Sequence, residues 1–208
     1  MQDFNFNSFL MYLVAIVLGI TVHEFAHAFA ADRLGDNTPR AQGRVTLSPL
    51  SHLDPIGSLF LIVSGIAGVG IGWGRPVQTD IDAYRINKRV GHAIVVLAGP
   101  LSNLVLATLF ALVLRSGLIP SGDAYFALTD EIVQTNIRLF FFNLIPLYPL
   151  DGSHLLAAAM PPAQAQGYYK FMRQWGFLLF LALAMSPLLG LLIWPPSRAV
   201  YDFLTGLA

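Results

Sequence analysis

Apolar residues in this chain come in long, nearly unbroken blocks rather than at one-sided helical spacing, which makes lipid the natural surroundings for most of it. Four blocks are long enough to cross a hydrocarbon layer of about 30 Å, a task for roughly 20 helical residues. They run from Phe9 to Ala31, Val90 to Leu114, Ile132 to Leu150 and Trp175 to Trp194. A fifth, Ile56 to Ile71, is shorter and rich in glycine (Gly57, Gly65, Gly68, Gly70), and leads through Gly72 into Trp73-Gly74-Arg75-Pro76. The pattern predicts an all-α polytopic membrane protein with about four spanning helices. Neither an internal repeat nor a low-complexity linker divides it, so a single membrane-embedded domain over residues 1–208, without an appended soluble domain, is expected.

Composition sharpens this picture. Of the 208 residues, 55% are hydrophobic and 12% charged, against about 25% charged in an ordinary soluble domain. The first block is read as a retained helix, because Met1 to Asn7 carries Asp3 and no Lys or Arg, whereas a signal peptide opens on a basic region. Net charge is zero, so no nucleic-acid partner is expected. Cysteine is absent. Disulfides and thiolate ligands are thereby excluded, and any metal must be held by His, Asp or Glu.

Those residue types occur together at the end of the first block. His23-Glu24-Phe25-Ala26-His27 is an HExxH pattern. On a helix, histidines four apart project from one face and can grip one Zn²⁺, while Glu24 can accept a proton from water activated at the metal. Titratable groups in a membrane helix cost about 2.5 kcal/mol or more each, so such a cluster calls for a partner. A catalytic zinc needs a third protein ligand and an open position. Asp151 is the candidate: it follows the segment Asn143 to Leu150, in which Pro146 and Pro149 interrupt a helix, and Gly152 permits a turn just after it. Taken alone, Asp151 has a lesser alternative reading as the cap of a helix beginning at Gly152.

If both block ends share one metal, they must emerge on the same side, which needs an even number of crossings between them. The Val90 and Ile132 blocks supply two. Ile56 to Ile71 is therefore expected to be a re-entrant segment or hairpin, a form tolerated in membranes where it is buried in protein or lines water. The basic residues from Arg33 to Arg89, with Lys170 and Arg173, fall on the metal side. The opposite loop, from Arg115 to Glu131, sets one arginine against Asp123, Asp130 and Glu131. By the positive-inside rule the metal end faces the cytoplasm, which implies a multi-pass protein of the cell inner membrane. Arg138, inside a block but near its far end, is read as snorkelling.

Three segments, His23 to His27, Ala98-Gly99-Pro100-Leu101-Ser102-Asn103 and Asn143 to Gly152, resemble the signature segments of the site-2 protease family of intramembrane zinc metalloproteases. Ala31 to Asp36, Asn37 to Pro55 and Gly72 to Val77 are similar to its compact bacterial branch without a PDZ domain. The resemblance covers most of residues 20–155 and fades beyond Gly152. It implies one zinc per chain held by His23, His27 and Asp151, with Glu24 as general base, hydrolysing peptide bonds of transmembrane protein substrates within or at the edge of the bilayer.

Other polar residues admit two roles each. The Asn103 amide could donate to a developing oxyanion or bridge packed helices, and Asn143 invites the same pair of readings. His154 is either close support for the metal site or a surface residue, and His52 and His92 read as loop or interface residues. A substrate helix must unwind before its carbonyls can be attacked. Short β-strands near the active site are expected for this purpose, with Trp73 to Asp80 as an edge strand that pairs with substrate. Two other functions fit a cluster of this kind: a membrane metal transporter and an inactive metal-binding scaffold. A transporter would spread its sites along a route, and a scaffold would not need an intact Glu24.

Overall fold

The computed structural model describes residues 5–66 and 72–207, and the regular elements among them are all helices. In chain order they are α1 (Phe6–Leu34), α2 (Thr38–Ala41), α3 (Pro55–Ile66), α4 (Lys88–Arg115), α5 (Ala124–Asn143), α6 (Asp151–Ala159), α7 (Pro162–Ala184) and α8 (Pro187–Thr205). Short polar side chains start most of the long ones by satisfying the first free N–H groups. Asn5 accepts from Ser8 at α1, Asn87 from Arg89 and Val90 at α4, Asp123 from Tyr125 at α5, and Ser186 from Leu188 at α8.

α1, α4 and α5 pack against one another as the centre of the molecule. Ala107 and Ala111 of α4 and Val133 and Ile137 of α5 are fully or almost fully buried there, with Phe141, Val200 and Leu204 closing the cluster. Small side chains on α4 let the backbones approach closely, and close van der Waals contact is the main source of helix association in lipid, where burying apolar surface offers little. α1 and α4 run antiparallel: His27 meets Val95, while Gly19, two turns earlier, meets Asn103. α6 packs on α4, and α8 packs on α5.

Of the expected spans, α1 and α4 are long and apolar enough to cross a membrane. The block expected over Ile132–Leu150 is displaced toward the N-terminus. Its helix, α5, begins at Ala124 and ends at Asn143, because the prolines at 146 and 149 leave residues 144–150 in turns. Asp130, Glu131 and Arg138 all lie within α5, and each has a partner: Tyr201 donates to Asp130, Thr135 to Glu131, and Arg138 lies 4.6 Å from the Trp194 ring. Arg138 thus packs against α8 and also donates to Gln134, one turn back on its own helix. The block at Trp175–Trp194 is divided at Met185 and Ser186, where α7 and α8 meet at a bend of 75°.

The glycine-rich block Ile56–Ile71 falls partly on α3, and residues 67–71 lie outside the described residues. α3 has 12 residues, about 18 Å of helix, well short of a hydrocarbon core. By Gly72 and Trp73 the chain is back beside the start of α3: a Cβ on Gly57 would lie 2.2 Å from the Trp73 carbonyl oxygen, and the Trp73 ring lies 5.6 Å from that of Phe60. Only glycine allows so close an approach. The expected short β-strands are reduced, among the described residues, to one antiparallel bridge between Leu53 and Gly74. A lone pair of bridging residues lacks the neighbouring ladder that makes a strand.

Candidate metal centre

The 3.6-residue period of α1 brings His23 and His27 to one face, turned toward α4 and α6. Both are buried, at 7% and 8% exposure. Asp151 is the first residue of α6, with Leu150 as its N-cap residue and no side-chain cap. Its carboxylate therefore does not cap its own helix. It reaches the histidines instead: Oδ2 lies 3.0 Å from His23 Nε2 and 3.3 Å from His27 Nε2, and the two Nε2 atoms are 3.0 Å apart.

The other ring nitrogens decide what this triangle is. His23 Nδ1 donates to Asn103 Oδ1 and His27 Nδ1 to the Val95 carbonyl, each at 2.7 Å. Asn103 offers its oxygen because its amide nitrogen is committed to the Gly19 carbonyl at 3.0 Å and to Asn136 Oδ1 at 2.9 Å. With the N–H on Nδ1, both Nε2 atoms present lone pairs, and they face a carboxylate oxygen that is buried without a hydrogen-bond partner. Three electron-pair donors converging in a buried place can hold a cation. Tetrahedral Zn²⁺ with bonds of about 2.0–2.1 Å sets its ligand atoms about 3.4 Å apart, so the observed triangle needs to open by only a few tenths of an ångström. Two imidazoles and one carboxylate suit zinc and leave a fourth position open.

Gly99 completes the cradle. A Cβ there would sit 2.3 Å from His27 Nε2 and 2.7 Å from His23 Nε2, so the α4 backbone itself forms one wall of the centre.

Glu24 points to another part of the site. Its carboxylate accepts the Val77 N–H at 3.1 Å and lies 3.7 Å from Arg44 Nη2. The segment after the return from α3 thus passes directly over the glutamate, anchored upstream by the Arg75 N–H on the His52 carbonyl at 2.7 Å. Burial lowers the Arg44 pKa from the usual arginine value, and the Glu24 charge opposes that shift; starting so high, the guanidinium stays cationic at neutral pH.

The remaining polar residues fall elsewhere. Both Asn103 amide hydrogens are used, so in this arrangement it orients His23 and bridges α1, α4 and α5, the helix-packing alternative. The Asn143 amide donates to Leu139, one turn back on its own helix. His154 is half-buried, its ring 5.8 Å from that of His92 and 5.9 Å from that of Tyr169. His52 lies in a loop, as expected, and is completely buried there, with Nε2 donating to the Thr46 carbonyl at 2.7 Å. Arg44, Asn136 and Gly99 do not stand out in the sequence as site residues. Gly99 sits inside a recognisable motif, whereas Arg44 and Asn136 have no local signal.

The chain is 36% identical to the candidate zinc metalloprotease YwhC of Bacillus subtilis over 94% of its own length and 90% of that protein. It is 32% and 30% identical to the candidate zinc metalloproteases named Rip2 of Mycolicibacterium smegmatis and Mycobacterium tuberculosis, over 87% of this chain and 69% of each relative. No protein-family model matches, and no solved structure does.

Proposed function

The chain belongs to the site-2 protease family of zinc metalloproteases, and from that premise we propose that it cuts transmembrane protein substrates inside or at the edge of the bilayer, with His23, His27 and Asp151 as its zinc ligands and Glu24 as general base. The observation that carries this is the convergence of two Nε2 lone pairs and an unpartnered Asp151 oxygen within 3.3 Å of one another, on apolar helices and next to a glutamate.

Zinc, when bound, supplies the Lewis acidity that polarises an amide carbonyl and makes a water acidic enough to react near neutral pH. The residues of the chain do the rest. Asn103 and Val95 hold both imidazoles in the tautomer that keeps Nε2 free. Glu24 takes a proton from the attacking water and returns it to the departing amine, so no acyl-enzyme forms. The apolar walls of α1 and α4 keep bulk water away and strengthen each of these interactions. An unwound substrate would pair along residues 73–80 by strand addition, a reading supported by the Leu53–Gly74 bridge and the position of this segment over Glu24. Val77→Pro is the test of that segment: cleavage should fall while zinc content stays, and unchanged cleavage would count against it.

The four-span arrangement belongs to the same proposal. α1, α4, α5 with its following turns, and the bent pair α7 and α8 form the spans, and α3 with its return forms a re-entrant element that enters and leaves on the cytoplasmic side. Support comes from the position of Trp73 beside Gly57 and from the excess of Arg and Lys at the metal end. The deciding experiment compares wild type with Glu24→Gln for zinc content and for cleavage of a model transmembrane substrate. Zinc should be retained in both and cleavage lost only in the variant; zinc-loaded wild type inert toward varied substrates would return the transporter and scaffold alternatives.

A further inference from the structure

Arg44 lies in the loop between α2 and the turn at Pro49–Ser51 and is 3% exposed. A guanidinium is buried only at considerable cost unless its charge and N–H groups find partners. Nη1 donates to the Pro76 carbonyl at 3.4 Å and Nη2 to the Arg75 carbonyl, while Nη2 lies 3.7 Å from Glu24 Oε2. The next residue, Val77, gives its N–H to that same Glu24 oxygen at 3.1 Å. Contacts therefore close a ring: Arg44 to the carbonyls of 75 and 76, the chain to the amide of 77, that amide to Glu24, and Glu24 back to Arg44.

A plain brace for the loop would explain the two carbonyl contacts. It would not explain why the positive end of the brace is set against the one carboxylate that does chemistry. Nor is such a brace required upstream, where the Leu53–Gly74 bridge and the Arg75 bond to His52 already fix the segment. What those anchors leave open is the placement of residues 76 and 77 relative to α1. Lysine could not replace this arrangement, because a single ammonium lacks the planar fork that reaches two carbonyls and a carboxylate together.

We infer that Arg44 is a positioning residue for the general base: by gripping the carbonyls of Arg75 and Pro76 it sets the Val77 N–H and its own charge on Glu24, and so holds that carboxylate in one orientation. The inference rests on Glu24 acting as the base.

The test uses the full-length protein in lipid vesicles with a model transmembrane substrate, and measures kcat, KM and zinc content. The variants are Glu24→Gln, Arg44→Met, Arg44→Lys, Val77→Pro and the Arg44→Met/Val77→Pro double variant. Misplacing a reacting group by about 1 Å costs on the order of a hundredfold in rate, so Arg44→Met should lower kcat tenfold or more, with KM within about twofold of wild type and zinc unchanged. Arg44→Lys should recover only part of the loss. Because Arg44 acts in part through the amide of 77, the double variant should be slowed by less than the product of the two single effects. An unchanged kcat, a loss expressed in KM, a loss of zinc, or multiplied effects in the double variant would each overturn the inference. If Arg44→Met does not accumulate, Arg44→Lys carries the test alone, and wild-type kcat in it overturns the inference. Cleavage by Glu24→Gln at the wild-type rate would instead bring down the assignment of the base, separately from the role of Arg44.

Discussion

His23 Nδ1 and Asn103 Oδ1 meet at 2.7 Å in a contact sealed from solvent between α1 and α4. A buried amide that fixes the tautomer of a metal-binding imidazole contributes to affinity without touching the metal. Asn103→Ala should therefore weaken zinc binding by about 10- to 100-fold, read by competition with a chelator of known affinity. Undiminished affinity would mean that His23 holds its tautomer unaided.

Gly99 offers a test that separates the centre from the helix that carries it. Alanine is the better helix former by about 1 kcal/mol, so Gly99→Ala should leave α4 intact by circular dichroism. Its added methyl group falls 2.3 Å from His27 Nε2 and should expel zinc and abolish cleavage. A zinc-replete Gly99→Ala protein would show that α1 and α4 can separate at no cost to the ligand geometry.

Metal removal should silence the protein without unfolding it. The core of Ala107, Ala111, Val133 and Ile137 lies on α4 and α5 and includes no ligand. A chelator should stop cleavage with little change in helix content, and added Zn²⁺ should restore it. Loss of helical signal together with zinc would show that the metal holds the fold as well as the site.

Gly57→Val tests the segment over the glutamate from its far side. The Trp73 carbonyl occupies the space a side chain at 57 would need, so valine should push residues 73–77 away from Glu24. Cleavage should fall at least tenfold, by analogy with the cost of misplaced reacting groups, while zinc content stays at wild-type level. Equal cleavage would mean that the segment has no part in placing Glu24 or substrate.

How much of this could be read from the sequence follows from which interactions are local. His23, Glu24 and His27 declare themselves because helical periodicity alone sets them together, and Asp151 because two prolines and a glycine mark a break just where a carboxylate occurs. α1 and α4 show as uninterrupted apolar runs. α5 is concealed, since Asp130 and Glu131 look like loop residues until Tyr201 and Thr135 are seen to receive them. The bend at Met185–Ser186 is marked in the sequence by Ser186-Pro187 alone, a cap and a first-turn proline inside an otherwise apolar run. Asn103 is recognisable as important from its motif, but the choice between oxyanion donor and helix bridge depends on the Gly19 carbonyl and Asn136, supplied by two other helices. Arg44 is the extreme case, because its partners include backbone carbonyls more than thirty residues away that carry no trace in side-chain identity.

The proposed third ligand, Asp151, comes from the start of α6, far along the chain from the pair on α1. A nascent chain halted before residue 151 carries two histidines and a glutamate with no carboxylate to close the centre. On the proposed ligand set, the centre is complete only once the later helices have been laid down and docked.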